Sequence, residues 1–467
     1  MKKRINWYGV LAVVVGLCLA GNAFGTNGYF THGNGTKNKS MAGAGIALPE
    51  DAIDVTNNPA VAPFVGDQLV VGAALFSPIR KYSTTASQAN GMCFPSGCAI
   101  TIGPNSITSD SEYFVIPHIA KSWQRDNGTA WALSFYGRGG MNTDWKGGTA
   151  TFDPDGPGPD FGPTTFPGTY GAGNAGVDYN QAFLDITWAK RINEKVSLGI
   201  SGVLVAQWFK ADGVATFAPL TETYARPFVE TGMPGNPTAL SNNGHDWAYG
   251  AGIKVGLHAA LSERVSLGIM YQSKIWMTEF DDYADLFAEQ GNMDVPPDLK
   301  VGLTFQANER TALSFDIEHA WYSDVAAVGT PIALLFNCPT AGRGGTDLTT
   351  CLGGDNGGGF GWDDMTTFKL GLRYKAGEDW TWRLGYSYGE QPIPNTEMSF
   401  NILAPGVMEQ HITAGFTLER TVGRQFNVAL MFAPSKSVTG PQNFDPSQNV
   451  TFKMYQWELE ASYSWRF

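Results

Sequence analysis

Between Ser197 and Phe209 the sequence reads SLGISGVLVAQWF, with Leu198, Ile200, Leu204, Ala206 and Trp208 on one parity and Ser197, Gly199, Ser201 and Gln207 on the other. Period-two alternation gives a strand one greasy face and one polar face. The pattern returns at 249–261, where Tyr249, Ala251, Ile253 and Val255 oppose Gly250, Gly252, Lys254 and Gly256. It returns again where Phe368, Leu370, Leu372 and Tyr374 oppose Lys369, Arg373 and Lys375. A soluble sandwich also alternates, but its apolar faces meet in a core and its connections are short at both ends. Here the connections alternate in length. Tight polar turns fall at 125–129, 192–195, 261–264, 307–310, 376–379 and 419–424, and between them lie long stretches at 79–111, 142–176, 213–244, 282–296, 325–362, 391–407 and 438–450. Short turns on one side and long loops on the other mark a transmembrane β-barrel of the outer-membrane type.

The spacing predicts about 14 antiparallel strands, beginning with 68–78, including 264–281 and 310–324, and ending with 450–467. In the last of these, Tyr455, Trp457, Leu459, Ala461, Tyr463, Trp465 and Phe467 share one parity, so Gln456, Glu458, Glu460, Ser464 and Arg466 must face the lumen. An arginine turned toward lipid costs up to about 2–4 kcal/mol at mid-bilayer. A chain ending on an aromatic residue in such a strand resembles the signal read by the bacterial barrel assembly machinery.

The first 25 residues read as a secretory signal: a charged start at Lys2, Lys3 and Arg4, an apolar run from Val10 to Ala20, and a small-residue cleavage site after Gly25, with cleavage after Ala23 as the alternative. Its removal takes the net charge from −12 to −15, which argues against a nucleic-acid partner. No later apolar run approaches the roughly 20 residues of a spanning helix. Cys18 leaves with the signal, and an exported chain with four remaining cysteines in two local pairs, Cys93 with Cys98 and Cys338 with Cys351, predicts two loop disulfides on the extracellular side. No histidine stands at zinc-ligand spacing beside either pair, so no metal site is expected.

Fourteen strands enclose a lumen too wide for wall side chains to fill. The segment from Thr26 to Asp67, ahead of a barrel at 68–467, is the continuous stretch available as a plug. Its glycines let the backbone approach the wall closely, and Pro59 stops any helix beginning near Asp51.

Within that segment GTKNKSMAGAGIALPEDAIDVTNNPAV, followed directly by QLVVGAALFSP, resembles the N-terminal hatch and first strand of the FadL/TodX (OmpP1) outer-membrane transporters. The matching positions are the small-residue run with Gly43, Ala44 and Gly45, the acidic step Asp51-Ala52, and the turn Asn58-Pro59-Ala60. The resemblance implies a monomeric, cofactor-free importer in the outer membrane of a Gram-negative bacterium. It would take up long-chain fatty acids or hydrocarbons, which lipopolysaccharide otherwise keeps out, and release them sideways into lipid through a kink in the third strand. The corresponding strand is TAWALSFYGRGGMNTDW, and the opening is expected at Tyr136, Gly137, Gly139 and Gly140. Expected pocket walls are Tyr29, Phe30, Phe183 and Phe209. Lys254, Lys300, Lys369, Arg373 and Arg383 share the lumen parity and are candidate partners for a carboxylate head group, but most of them are expected to pair with lumen acids such as Asp185, Asp316, Glu318, Glu458 and Glu460. A general diffusion porin is the alternative reading.

Nothing catalytic is expected. The adjacent Glu318 and His319 point to opposite faces of a strand, and the six histidines form no triad. GGDNGGGFG at 353–361 lacks the Gly-Lys-Ser/Thr of a phosphate loop, and the acidic loop DPDGPGPD at 153–160 has no EF-hand pattern.

Overall fold

The computed structural model describes residues 27–94, 97–156 and 162–467; the expected signal peptide at 1–25 and Asp160 of the acidic loop lie outside the described residues. Fourteen antiparallel strands close into a barrel: β1 (Gln68–Thr84), β2 (Phe114–Gln124), β3 (Thr129–Trp145), β4 (Ala175–Arg191), β5 (Val196–Asp212), β6 (Asp246–Ala260) and β7 (Val265–Gln272). They continue as β8 (Asp298–Asn308), β9 (Thr311–Ala320), β10 (Met365–Lys375), β11 (Trp380–Gly389), β12 (Gln410–Thr421), β13 (Arg424–Pro441) and β14 (Asn449–Arg466). Each strand pairs with the next, and β14 returns to β1 from Gln68↔Arg466 to Thr84↔Val450, which closes the barrel sheet on itself. The alternation sets the faces: Leu198, Ile200 and Leu204 are exposed to the bilayer side, whereas Ser197, Ser201 and Gln207 are buried in the lumen.

Two expected strands are shorter in the structure. The stretch 264–281 stops at Gln272, because the Ser273 hydroxyl accepts the Ile253 N–H at 3.1 Å in place of a backbone carbonyl. The ladder with β6 resumes only at Trp276–Met277. The stretch 310–324 gives way after Ala320 to a turn at Tyr322–Asp324. Conversely β1 runs six residues beyond the expected end at Pro78. Pairing between β1 and β2 ends at Phe76↔Phe114, so Pro78, which has no N–H to give, sits where β2 is no longer alongside.

The N-terminal segment fills the lumen. Between Asn27 and Val65 only Gly43, Leu48, Pro49, Glu50 and Phe64 retain partial exposure. Short helical turns at Thr36–Lys39, Ala52–Thr56, Pro59–Val61 and Ala62–Val65 make it compact. The wall makes room for it with lumen-facing glycines. A Cβ on Gly199 would lie 2.4 Å from the Pro59 carbonyl carbon, and one on Gly385 would lie 2.1 Å from that of Met41.

Outside the membrane the long loops fold over the barrel mouth and carry much of the apolar core, including Phe217, Leu335, Phe400 and Phe444. Cys93 is joined to Cys98, and Cys338 to Cys351.

Candidate functional site

The hatch is fastened to the wall by charge. Lys39 lies 3.0 Å from Glu458 and 2.8 Å from Glu460, and Arg383 Nε lies 2.9 Å from Glu50. Asp316 accepts the backbone N–H groups of Gly45 and Ile46 at 2.7 and 2.9 Å, and Thr413 accepts that of Ala42 at 2.8 Å. Removing one partner of such a buried pair leaves an uncompensated charge, at about 3–5 kcal/mol. The pairs therefore fix one seating of the hatch.

The motif residues act locally. Asp51 caps the turn at Ala52–Thr56 by accepting the Ala52 N–H at 2.9 Å, and Asp54 Oδ2 accepts those of Glu50 and Asp51. Asn58 accepts the Ala60 N–H at 3.0 Å and donates to the carbonyls of Ile46 and of Leu257 on β6 at 3.2 and 3.1 Å. Pro59 at the first helical position closes the turn without an orphaned donor.

Burial, followed by the negative charge of Asp51, pushes the Asp54 carboxyl up to about 7 despite its two N–H bonds. The folded value lies above the unfolded one of about 3.9. The stability that this group contributes is therefore complete below the unfolded value and is lost as pH rises through about 7. Added protease is expected to cut the hatch of the folded barrel faster at about pH 8.5 than at about pH 5.5, and Asp54→Asn should flatten that difference.

The wall is interrupted beside the N-terminal segment. The β2–β3 ladder runs from Gln124↔Ala130 only to His118↔Tyr136, stopping next to Pro117 on one strand and Gly137 on the other. The neighbouring β3–β4 ladder shifts between Asn180↔Gly140 and Ala182↔Gly137, so Arg138 and Gly139 together oppose Gln181 alone. Two residues against one is a bulge, which bends its strand. From inside, the N-terminal segment pairs with the bent backbone: Thr31 N donates to Arg138 O at 2.8 Å and Gly140 N to Tyr29 O at 3.1 Å, flanking an antiparallel bridge between Phe30 and Gly139.

A small apolar cavity is lined by Val177, Phe209, Phe217, Phe287, Phe360 and Phe400 among others, with no charged side chain in its wall. Of the four expected pocket residues, Phe209 lines it. Tyr29 and Phe30 belong to an aromatic cluster with Tyr322 and Trp362, at centroid separations of 4.9–6.0 Å, and Phe183 stacks on Tyr136 at 5.4 Å. The wall residues Phe217, Phe360 and Phe400 come from loops, where the only sequence signal is an aromatic residue outside any alternating stretch.

The five candidate head-group cations are all engaged elsewhere. Lys254 is 2.8 Å from Asp185; Lys300, at 3.0 Å, and Lys369 share Glu318; Arg373 and Arg383 both hold the hatch residue Glu50. None is left for a ligand in this arrangement.

The family described as outer membrane protein transport protein (OMPP1/FadL/TodX) matches residues 16–464. No curated protein sequence matches the chain. Among solved structures, the toluene transporter TodX of P. putida is 17% identical, with a TM-score of 0.59 over 93% of this chain and 99% of its own. A FadL homologue of Pseudomonas aeruginosa is likewise 17% identical, with a TM-score of 0.62 over 94% of this chain and 100% of its own. The toluene transporter TbuX of Ralstonia pickettii is 15% identical, with a TM-score of 0.57 over 93% and 99%. These likenesses show the fold, and the match across nearly the whole sequence shows the kinship: the chain belongs to the OMPP1/FadL/TodX family of outer-membrane transporters of hydrophobic compounds.

Proposed function

We propose that this chain carries hydrophobic molecules passively from the extracellular loops through the apolar cavity to the gap between β2 and β3, and releases them there into the outer membrane. The interrupted ladder supports the reading: β2–β3 pairing is lacking beside Gly137, Gly139 and Gly140, where the N-terminal segment pairs with the bent strand from inside. Each methylene moved from water into such a cavity contributes about 0.8 kcal/mol, so the ligand binds without a polar contact and leaves for lipid at little cost. The Tyr29–Thr31 segment lies across the inner side of the bent strand and must yield for passage. A diffusion porin needs open water in the lumen, whereas here the lumen is occupied by the buried segment 27–65.

The test is uptake of a labelled long-chain fatty acid and a labelled alkylbenzene by cells lacking their own importer. Uptake of either only when this protein is present, together with low single-channel conductance, supports the reading. Uptake of neither, with high conductance, would return the porin.

A further inference from the structure

Every other buried lysine or arginine among the described residues lies within 4.0 Å of a carboxylate. Arg80 does not. It stands near the extracellular end of β1, opposite Met454 of β14, and is only 4% exposed. Its Nη2 donates to the Ser111 carbonyl at 2.7 Å, its guanidinium carbon lies 5.7 Å from the centre of the Phe114 ring, and its Nε has no hydrogen-bond partner. Glu112, the one carboxylate whose field reaches it, does not come within ion-pair distance. A guanidinium carries five donors, and an unpaired buried cation costs several kcal/mol.

The side chain lines a second, small cavity together with Gly28, Gly140, Asn142 and Trp362. Gly28 belongs to the N-terminal segment, while Gly140 and Asn142 lie on the bent part of β3. Arg80 thus reaches from β1 to the inner mouth of the β2–β3 gap. The two cavities share a wall: Phe360 and Leu403 line the larger, Trp362 and Ala404 the smaller, and the Phe360 and Trp362 ring centres are 6.3 Å apart.

We propose that Arg80 is an anion subsite on the transport route, and that it takes the carboxylate of a long-chain amphiphile at the inner mouth of the β2–β3 gap. The inference rests on the proposed route and narrows its substrate. A planar fork of N–H groups matches a carboxylate in two parallel bonds, and the anion supplies the counter-charge that the protein withholds. A head group held there leaves its alkyl chain against Trp362 and the neighbouring apolar wall. A neutral hydrocarbon gains nothing from Arg80.

The experiment is equilibrium binding of labelled palmitate, hexadecanol and octylbenzene to the purified full barrel in an uncharged detergent, with folding checked by heat-modifiable migration. The wild-type protein should bind palmitate about tenfold or more tightly than hexadecanol. In Arg80→Gln, palmitate affinity should fall at least tenfold further than that of either neutral ligand, and Arg80→Lys should restore part of the preference. Equal binding of palmitate and hexadecanol by the wild type overturns the subsite whether or not the variants fold, and so does a preference that survives in Arg80→Gln. In those cases octylbenzene binding leaves the transport route standing. Failure of all three ligands to bind overturns both.

Discussion

Joining positions 30 and 139 by a disulfide is expected to stop uptake until the bond is reduced. Phe30 and Gly139 form an antiparallel bridge flanked by the bonds Thr31 N to Arg138 O and Gly140 N to Tyr29 O, which makes them a non-hydrogen-bonded pair. Such pairs bring Cα atoms to about 4.5 Å, within the range a disulfide spans. A Cβ at position 139 meets the Gln181 amide oxygen at 2.1 Å, so that flexible side chain must turn aside. In Phe30→Cys/Gly139→Cys the N-terminal segment cannot leave the bent strand. Uptake of a labelled hydrophobe should fall by about tenfold or more in the oxidised protein and recover with reductant, a loss of at least about 1.4 kcal/mol in apparent barrier. Each single variant sets the reference rate and controls for reduction of the native disulfides. The same rate in oxidised and reduced double variant would mean that the segment need not move.

The second large effect is expected from Gly199→Val. The new Cβ would meet the Pro59 carbonyl carbon at 2.4 Å and the Ala60 nitrogen at 2.5 Å, both backbone atoms of the hatch. Overpacking of this kind costs about 1–3 kcal/mol where neighbours can shift. Here the hatch turn would have to leave its seat, since the wall is held by ladders on both sides. The barrel should still migrate as folded, while single-channel conductance rises by about tenfold or more and protease gains access to the hatch. Gly202→Val is the matched control, because that glycine faces outward with nothing within 4 Å of its Cβ. An unchanged conductance in Gly199→Val would show that this contact does not seat the hatch.

Much of the architecture was legible because lipid enforces a strict parity. Lys254 and Lys369 could be placed in the lumen from alternation alone, and both are buried there. Parity also set these lysines against the lumen acids as a class, but not which acid each takes: Lys254 pairs with Asp185 and Lys369 with Glu318. Ser273 was missed as a strand break because its hydroxyl imitates a backbone acceptor. Arg80 was hidden for a simpler reason: with β1 expected to end at Pro78, it fell into a loop. The proline was tolerated because β2 had already ended its pairing at Phe114. The loop aromatics Phe217, Phe360 and Phe400 obey no period, and only the fold brings them around one cavity.

The hatch grips the seam strand. Thr36 donates to Glu460 across 424 residues of sequence, Lys39 pairs with Glu458 and Glu460, and Ser464 donates to Asp51, all on β14, which also closes the ring against β1. The N-terminal segment is therefore tied to the last strand. Contacts this distant in sequence carry a loop-closure cost that local pairings avoid. Sealing the wall and fastening the plug accordingly depend on one strand, and a chain whose last strand has not docked has neither a closed ring nor a fully fastened hatch.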